Sequence, residues 1–394
     1  MDKRSIMIFG VGELQKSIIL KAKEMGLYVV GIDPCADAVC RNDVDAFEIV
    51  GGQDLEGTLA IARKYDISAV VTAATDKPLV MMAKVARTLN LPFYTEATAV
   101  WSTDKYQMKQ RFIEGGVPCA RGRLIHHSDE AKDLYFPVIC KPRDNSGSRG
   151  VKLCRSIEEL QECIDEALLC SRMDTVLVEE FIEGTEYSVE ALHYRGLSEV
   201  IQFTEKRTTP FPYNVELGHV QPANLSEAQK DAVCEIIRKI ASCMNFENCP
   251  SHTELKINER GIFVIETSPR LGGDYITSTL TPLSTGVNIE EQLINIALGQ
   301  EVDTTCKLNQ YSGIRFFSFD PESVINRVPD CGFVLSWPHV VDYSFKLSVN
   351  DRVNKITSSL NRYGHIILQT GNRKSLDEAF DKYEAIIKDT CLSK

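Results

Sequence analysis

No apolar run in this 394-residue chain approaches the length that crosses a bilayer, so no membrane span is expected. The first residues run straight into a strand and a glycine turn, without the apolar core of a secretion leader. Paired cysteine motifs are missing too. The 13 cysteines are scattered, none forms Cys-x-x-Cys, and the closest two, Cys35 and Cys40, have no matching histidines. That argues against a zinc cluster and reads as reduced, mostly buried thiols in a cytoplasmic protein. Positive charge is scarce, with 44 Lys and Arg against 55 Asp and Glu, a net charge of −11. This balance speaks against a general nucleic-acid or anionic-membrane surface, while leaving room for local basic sites for phosphate. The sequence has no internal repeat, no Walker loop and no convincing Ser/His/Asp or Cys/His set.

What is present is a globular composition, 43% hydrophobic and 25% charged. The chain is too long for one ordinary core, so two or three domains are expected. Residues 5–9 form a strand, Gly10-Val11-Gly12 a turn, a helix runs to about Met25, and a second strand ends in Asp33. This βαβ pattern looks like a dinucleotide fingerprint, but Gln15 stands where the third glycine belongs, so a Rossmann-like scaffold is the better reading. A helix near 55–65, a strand at 67–72, a helix at 78–89 and a strand around Pro92–Tyr94 complete a first domain, 1–97. Ser102 or Thr103 caps the next helix, which ends at Gly115-Gly116. Lys105 in its first turn opposes the helix dipole, a hint that it faces an anion. Residues 136–141 read as a strand ending in Lys141. The loop Ser146-Gly147-Ser148-Arg149-Gly150 follows, small enough for backbone amides to close over phosphate. After a helix at 156–171, a strand runs into Glu179-Glu180-Phe181-Ile182, whose extended backbone offers a C=O and an N–H to a purine edge. Glu186, opening the next strand, is suited to ribose hydroxyls. Ser226…Gln229 is a capping box for a structural helix over 226–244, and another helix covers about 288–298. From 302 onward, strands at 313–319, 333–337 and 365–369 and a helix at 375–388 make a small third domain.

The stretch from His252 to Gly273 reads as a hairpin, with runs 253–257 and 262–266 around a glycine-ended turn. Period two puts Leu255, Ile257, Phe263 and Ile265 on a core face, and Glu254, Lys256, Val264 and Glu266 on the other. The two glutamates are nearly symmetric about position 260, so they lie opposite each other. Like charges there repel, and a hard divalent cation relieves the repulsion. Ser268 and Arg270 then follow before Gly272-Gly273.

Taken in order, these features resemble the ATP-grasp superfamily: a strand ending in lysine with a glycine loop, a Glu-Glu-Phe-Ile hinge, two glutamates twelve apart, and an arginine before Gly-Gly. The match covers roughly 98–300. Glu216-Leu217-Gly218-His219 and Pro282…Asn288 make the layout most similar to L-amino acid ligases and carbamoyl-phosphate-synthase-like carboxylate–amine ligases. The resemblance implies an α/β (α+β) fold with a Rossmann-like domain (1–97), an ATP-grasp domain (98–301, with a mobile lid at about 121–190) and a C-terminal α+β domain (302–394). It assigns Lys105 and Lys141 to ATP phosphates, and Ser146 to Gly150 to the loop over the triphosphate. Glu179, Glu180 and Ile182 go to the adenine hinge, and Glu186 to the ribose. Glu254 and Glu266 become ligands of one or two Mg2+, with Mn2+ as a substitute, and Ser268 stands where the family usually has a third, asparagine ligand. Arg270, with Lys141, takes the transferred phosphoryl group. Glu216, His219, Arg270, Asp274 and also Arg315 are candidates for the substrate end.

The expected activity is ATP-dependent ligation of a small-molecule carboxylate and amine in the cytoplasm, by a homodimer formed through the N-terminal domain, with no nucleic-acid or membrane partner. A purine-biosynthesis-type enzyme acting on a phosphoribosyl amine, or making carboxyphosphate, is the alternative within the superfamily. An NAD-dependent oxidoreductase built on Gly10, Gly12 and Asp33, or a non-catalytic nucleotide-binding protein, are the alternatives outside it.

Overall fold

The computed structural model describes residues 4–145, 147, 149–211 and 213–393. Ser146 and Ser148, expected over the triphosphate, lie outside the described residues. The N-terminal part is a parallel four-stranded sheet of β1 (Ser5–Phe9), β2 (Tyr28–Asp33), β3 (Ala46–Ile49) and β4 (Ile67–Val71), in the order β3-β2-β1-β4. These strands are near-continuous apolar runs because helices cover both faces. Two expectations fail here. No strand forms at Pro92–Tyr94, where the chain is irregular before helix Glu96–Thr103. Proline cannot donate to a ladder, and Tyr94 is instead buried against the helical layer. The cap of helix Lys105–Glu114 is Asp104, whose carboxylate accepts from the Tyr106 and Gln107 amides. Ser102 belongs to the preceding helix, its hydroxyl donating to the Thr98 carbonyl.

A second four-stranded sheet, antiparallel, contains β5 (Gly122–Ile125), β6 (Val138–Pro142), β7 (Lys152–Cys154) and β8 (Val176–Glu180), in the order β5-β8-β6-β7. Helix Ile157–Leu169 packs Leu160, Cys163, Ile164 and Ala167 onto it to form a separate small core.

The largest sheet has eight strands: β9 (Thr185–Tyr194), β10 (Leu197–Thr208), β11 (Glu216–Gln221), β12 (Cys249–Asn258), β13 (Gly261–Ser268), β14 (Tyr311–Phe316), β15 (Val340–Phe345) and β16 (Gly364–Thr370). Their order is β13-β12-β9-β10-β11-β14-β16-β15, so strands from 302–394 continue the same sheet. Residues 333–337 were expected as a strand. They fall in and beside helix Cys331–Leu335, because Asp330 caps it by accepting from the Phe333 amide. Helix Arg373–Leu392 closes the chain over a core containing Phe380, Ile366 and Val220. Among the described residues, no helix is long and apolar enough to cross a membrane.

Candidate active site

The hairpin β12–β13 carries the site, and a β-bulge is what makes it work. From Asn258 to Leu255 the strands pair as in a simple two-residue turn, with Leu255 opposite Val264. The register then shifts, and Glu254 lies opposite Glu266. Ile265 is the extra residue, so the faces differ from simple alternation. Val264 is buried in the core with Leu255, while Ile265 lines the open cleft. Without the bulge, Glu266 would share the core face of Val264.

The cleft holds a cavity of about 520 Å³ between the β5–β8 sheet and the eight-stranded sheet. Of the described residues expected at the nucleotide, Lys105, Lys141, Gly147, Arg149, Glu179, Glu180, Ile182 and Glu186 line this cavity, and Gly150 does not. Glu254, Glu266, Arg270, Glu216, His219 and Asp274 line it as well. Arg315 does not. Its guanidinium lies 5.1 Å from the Phe380 ring, on the side of the sheet covered by the last helix.

Ala120, Ile139, Leu153, Phe181, Ile182 and Ile265 give the cavity an apolar lining. Phe181 meets Phe211 edge to face at 5.1 Å, and the Lys256 ammonium sits 5.2 Å and 5.5 Å from the two rings. The Glu180 amide donates to the Arg121 carbonyl, which fixes the chain entering Phe181-Ile182.

Deeper in, ionised groups are packed in opposed pairs. Glu179 sits between two ammonium groups, paired with Lys141 and lying 2.8 Å from Lys109. Burial pushes the Glu179 carboxyl up, but the two lysines outweigh it and hold it below the usual range. Lys141 goes the other way. Burial lowers it, and nearby Lys109 and Lys105 add to this against Glu179. Lys105 reaches across from its helix to Glu266, so the anion it faces here is a carboxylate. Lys206, a buried residue of β10, is shared by Glu186 at 2.9 Å, Glu254 at 3.0 Å and Glu216 at 3.4 Å. Burial opposes its charge, yet the three glutamates raise it well above the usual lysine range. Burial pushes Glu216 up, and Asp274, Glu254 and Glu186 reinforce that against Lys206. His252 lies 2.6 Å from Glu190 and 3.4 Å from Glu254. Burial works against its protonation, but these carboxylates raise it to about 9.

Glu254 and Glu266, opposite each other on the hairpin, are the pair that would hold a Mg2+. Glu254 stays well below the usual carboxylate range, because Lys206 and His252 overcome its burial. Among the described residues, no group of three or more His, Cys, Asp or Glu side chains is gathered around a metal-sized gap. A cation on Glu254 and Glu266 would therefore draw its other ligands from phosphate oxygens and water, as Mg2+ does. Ser268, expected as a third ligand, donates its hydroxyl hydrogen to Asp76 at 2.6 Å, which leaves the oxygen lone pairs available to a cation.

Asp76 was not anticipated. It comes from the loop after β4 and accepts from Arg270 Nε at 2.9 Å and Nη2 at 3.2 Å. No local pattern marks it, and its partner is 194 positions away. At the substrate end, Arg362 from the loop before β16 donates to both oxygens of Asp274 at 2.6 Å, and His219 lies 3.3 Å from the same carboxylate. In the N-terminal sheet, the fingerprint glycines are already engaged. Gln15 accepts from the Gly12 amide and donates to the Ala73 carbonyl, while Asp33 accepts from the Val11 and Cys35 amides. The groups an NAD pyrophosphate and ribose would use are thus taken internally, which corrects that alternative.

Residues 134–278 match the family model described as the ATP-grasp domain. The chain is 25% identical over 306 residues to carbamoyl-phosphate synthase of Methanobrevibacter smithii, covering 75% of this chain and 81% of that protein. Among solved structures, an L-amino acid ligase from Bacillus licheniformis superposes with a TM-score of 0.84 at 19% identity, covering 98% of both chains. A phosphoribosylglycinamide synthetase from Anaerococcus prevotii superposes with a TM-score of 0.74 at 22% identity, again over 98% of both.

Proposed function

We propose that this chain, in which residues 134–278 match the ATP-grasp domain, is an ATP-dependent enzyme that joins a carboxylate to an amine through an acyl-phosphate. The observation that carries the reading is the single cleft in which Lys105 and Lys141, the Glu254–Glu266 pair and Arg270 all converge. Such a set suits phosphoryl transfer, which needs positioning and cations more than a nucleophilic side chain.

The apolar lining beside Phe181 and Ile182 takes the adenine, and Glu186 the ribose. Lys141 and Lys105 face the phosphates. Mg2+ bound at Glu254 and Glu266 supplies charge that offsets the negative β- and γ-phosphates. A substrate carboxylate oxygen attacks the γ-phosphorus, the bond to the β-phosphate oxygen breaks, and ADP leaves. Arg270, oriented by Asp76, is aimed at the charge that develops on the transferred group. The amine then attacks the acyl carbon, loses a proton, and expels inorganic phosphate. Closure of the β5–β8 sheet over the cleft keeps water from the acyl-phosphate.

The test is ADP and phosphate release from Mg·ATP across a grid of amino acids, singly and in pairs, with product masses read in parallel. Pair-dependent ADP release with a new amide mass is the expected result. Turnover only with a phosphoribosyl amine would move the assignment to the purine-biosynthesis type. Turnover with bicarbonate alone would move it to carboxyphosphate formation.

A further inference from the structure

Lys109 has no place in the reading above, yet it is one of the most deeply buried charges in the molecule, at 3% exposed. It lies on the helix Lys105–Glu114, one turn after Lys105, and shares its face. Its ammonium donates to the Ala120 carbonyl at 2.6 Å and lies 2.8 Å from Glu179. Glu179 is 4% exposed and is also paired with Lys141, itself 4% exposed. One buried carboxylate thus faces two buried ammonium groups.

The imbalance has a consequence for nucleotide binding. If Glu179 had only Lys141, drawing that lysine towards a phosphate would leave a buried carboxylate without a partner, and such stranding is costly. With Lys109 in place, Glu179 stays neutralised whichever way Lys141 turns. An added anion relieves the surplus positive charge, which together with burial lowers Lys141. We propose that Lys109 is a positioning residue, holding the charge of Glu179 so that Lys141 is released to the nucleotide phosphates. This rests on the nucleotide reading of the cleft and adds a residue that touches no nucleotide atom itself.

The experiment is equilibrium titration of the full-length protein with Mg·ADP, with a non-hydrolysable Mg·ATP analogue and with adenosine. The proteins are wild type, Lys109→Met, Lys109→Arg, Glu179→Gln and the double variant Lys109→Met/Glu179→Gln. Lys109→Met should weaken the ATP analogue and ADP by roughly 10- to 100-fold, the span of one charged hydrogen bond. Adenosine binding should stay within about twofold, since an adenosine carries no charge for Lys141 to meet. Lys109→Arg should recover most of the loss. The double variant should bind the ATP analogue more tightly than Lys109→Met alone, because the stranded charge is gone. Equal weakening of adenosine and nucleotides, or no rescue in the double variant, would assign Lys109 to packing and overturn the inference. An unaltered Lys109→Met affinity would overturn it too. Failure of wild type to bind either nucleotide would remove the nucleotide reading and the inference with it.

Discussion

Lys206→Met removes the one ammonium shared by Glu186, Glu254 and Glu216 while nearly keeping its volume. In the native protein three partly buried carboxylates lie within 3.4 Å of that nitrogen. Breaking a buried ion pair by deleting one partner costs about 3–5 kcal/mol. The lower end applies here, because the cleft is open to water and Glu216, already pushed up, can take a proton. A loss of about 3 kcal/mol corresponds to a fall in Tm of roughly 6–12 °C for a domain of ordinary size. The fall should be largest near pH 8. It should shrink towards pH 5, where protonation removes part of the repulsion the lysine had compensated. Mg2+ should restore more stability to the variant than to wild type, since a cation near Glu254 replaces some of the missing charge. The assay is thermal unfolding at both pH values, with and without millimolar Mg2+. A fall of less than about 2 °C at pH 8, or an equal fall at both pH values, would refute the view that Lys206 is the main compensating charge for these carboxylates.

Three further perturbations follow from particular contacts. Glu290 is buried beside Ser17, and burial lifts its carboxyl from 4.5 to about 7. The native chain therefore holds a proton there that the unfolded chain has lost, so stability declines as pH rises from about 4.5 through about 7. Glu290→Gln should match wild type near pH 5 and unfold later at pH 8, by roughly 3 kcal/mol at most; unfolding in urea at the two pH values checks this. Asp76→Asn should leave ATP affinity nearly unchanged and lower kcat by roughly 10- to 100-fold, because Arg270 loses its charged partner; steady-state kinetics with varied ATP separates the two parameters. Glu266→Gln should lower turnover by at least about 100-fold and raise the Mg2+ concentration needed for half activity; wild-type turnover in this variant would remove the metal assignment.

Much of the site was legible because its residues are near one another in sequence or end an apolar strand. Lys141 closes β6 and Glu179 lies at the end of β8, positions that alternation and loop composition mark clearly. The opposition of Glu254 and Glu266 was also readable, though for an incomplete reason. Symmetry about position 260 gives the right pair, but the turn itself pairs Asn258 with Gly261, and only the bulge at Ile265 brings the glutamates together. A bulge leaves no signature in a run of Ile, Phe and Val, so the face of Val264 was read wrongly. Charges that meet across the fold were harder still. Asp76, Lys109 and Arg362 look like ordinary surface residues in sequence. Their partners Arg270, Glu179 and Asp274 come from other elements, and nothing local selects them. Ser268 shows the same limit, since its spacing says nothing of the distant Asp76 carboxylate that accepts its hydroxyl hydrogen. Residues 333–337 failed differently: Phe-Val-Leu suits a strand or a helix, and Asp330 as a cap decides for the helix.

The acyl-phosphate is the centre of this account, and isotope transfer tests it most directly. The acid that supports ADP release would be supplied with 18O in its carboxylate, together with Mg·ATP and the amine, and the released phosphate analysed by mass. One 18O per phosphate is the predicted result, because the carboxylate oxygen that attacks phosphorus leaves with it. Phosphate carrying no label, alongside an amide product, would contradict an acyl-phosphate route.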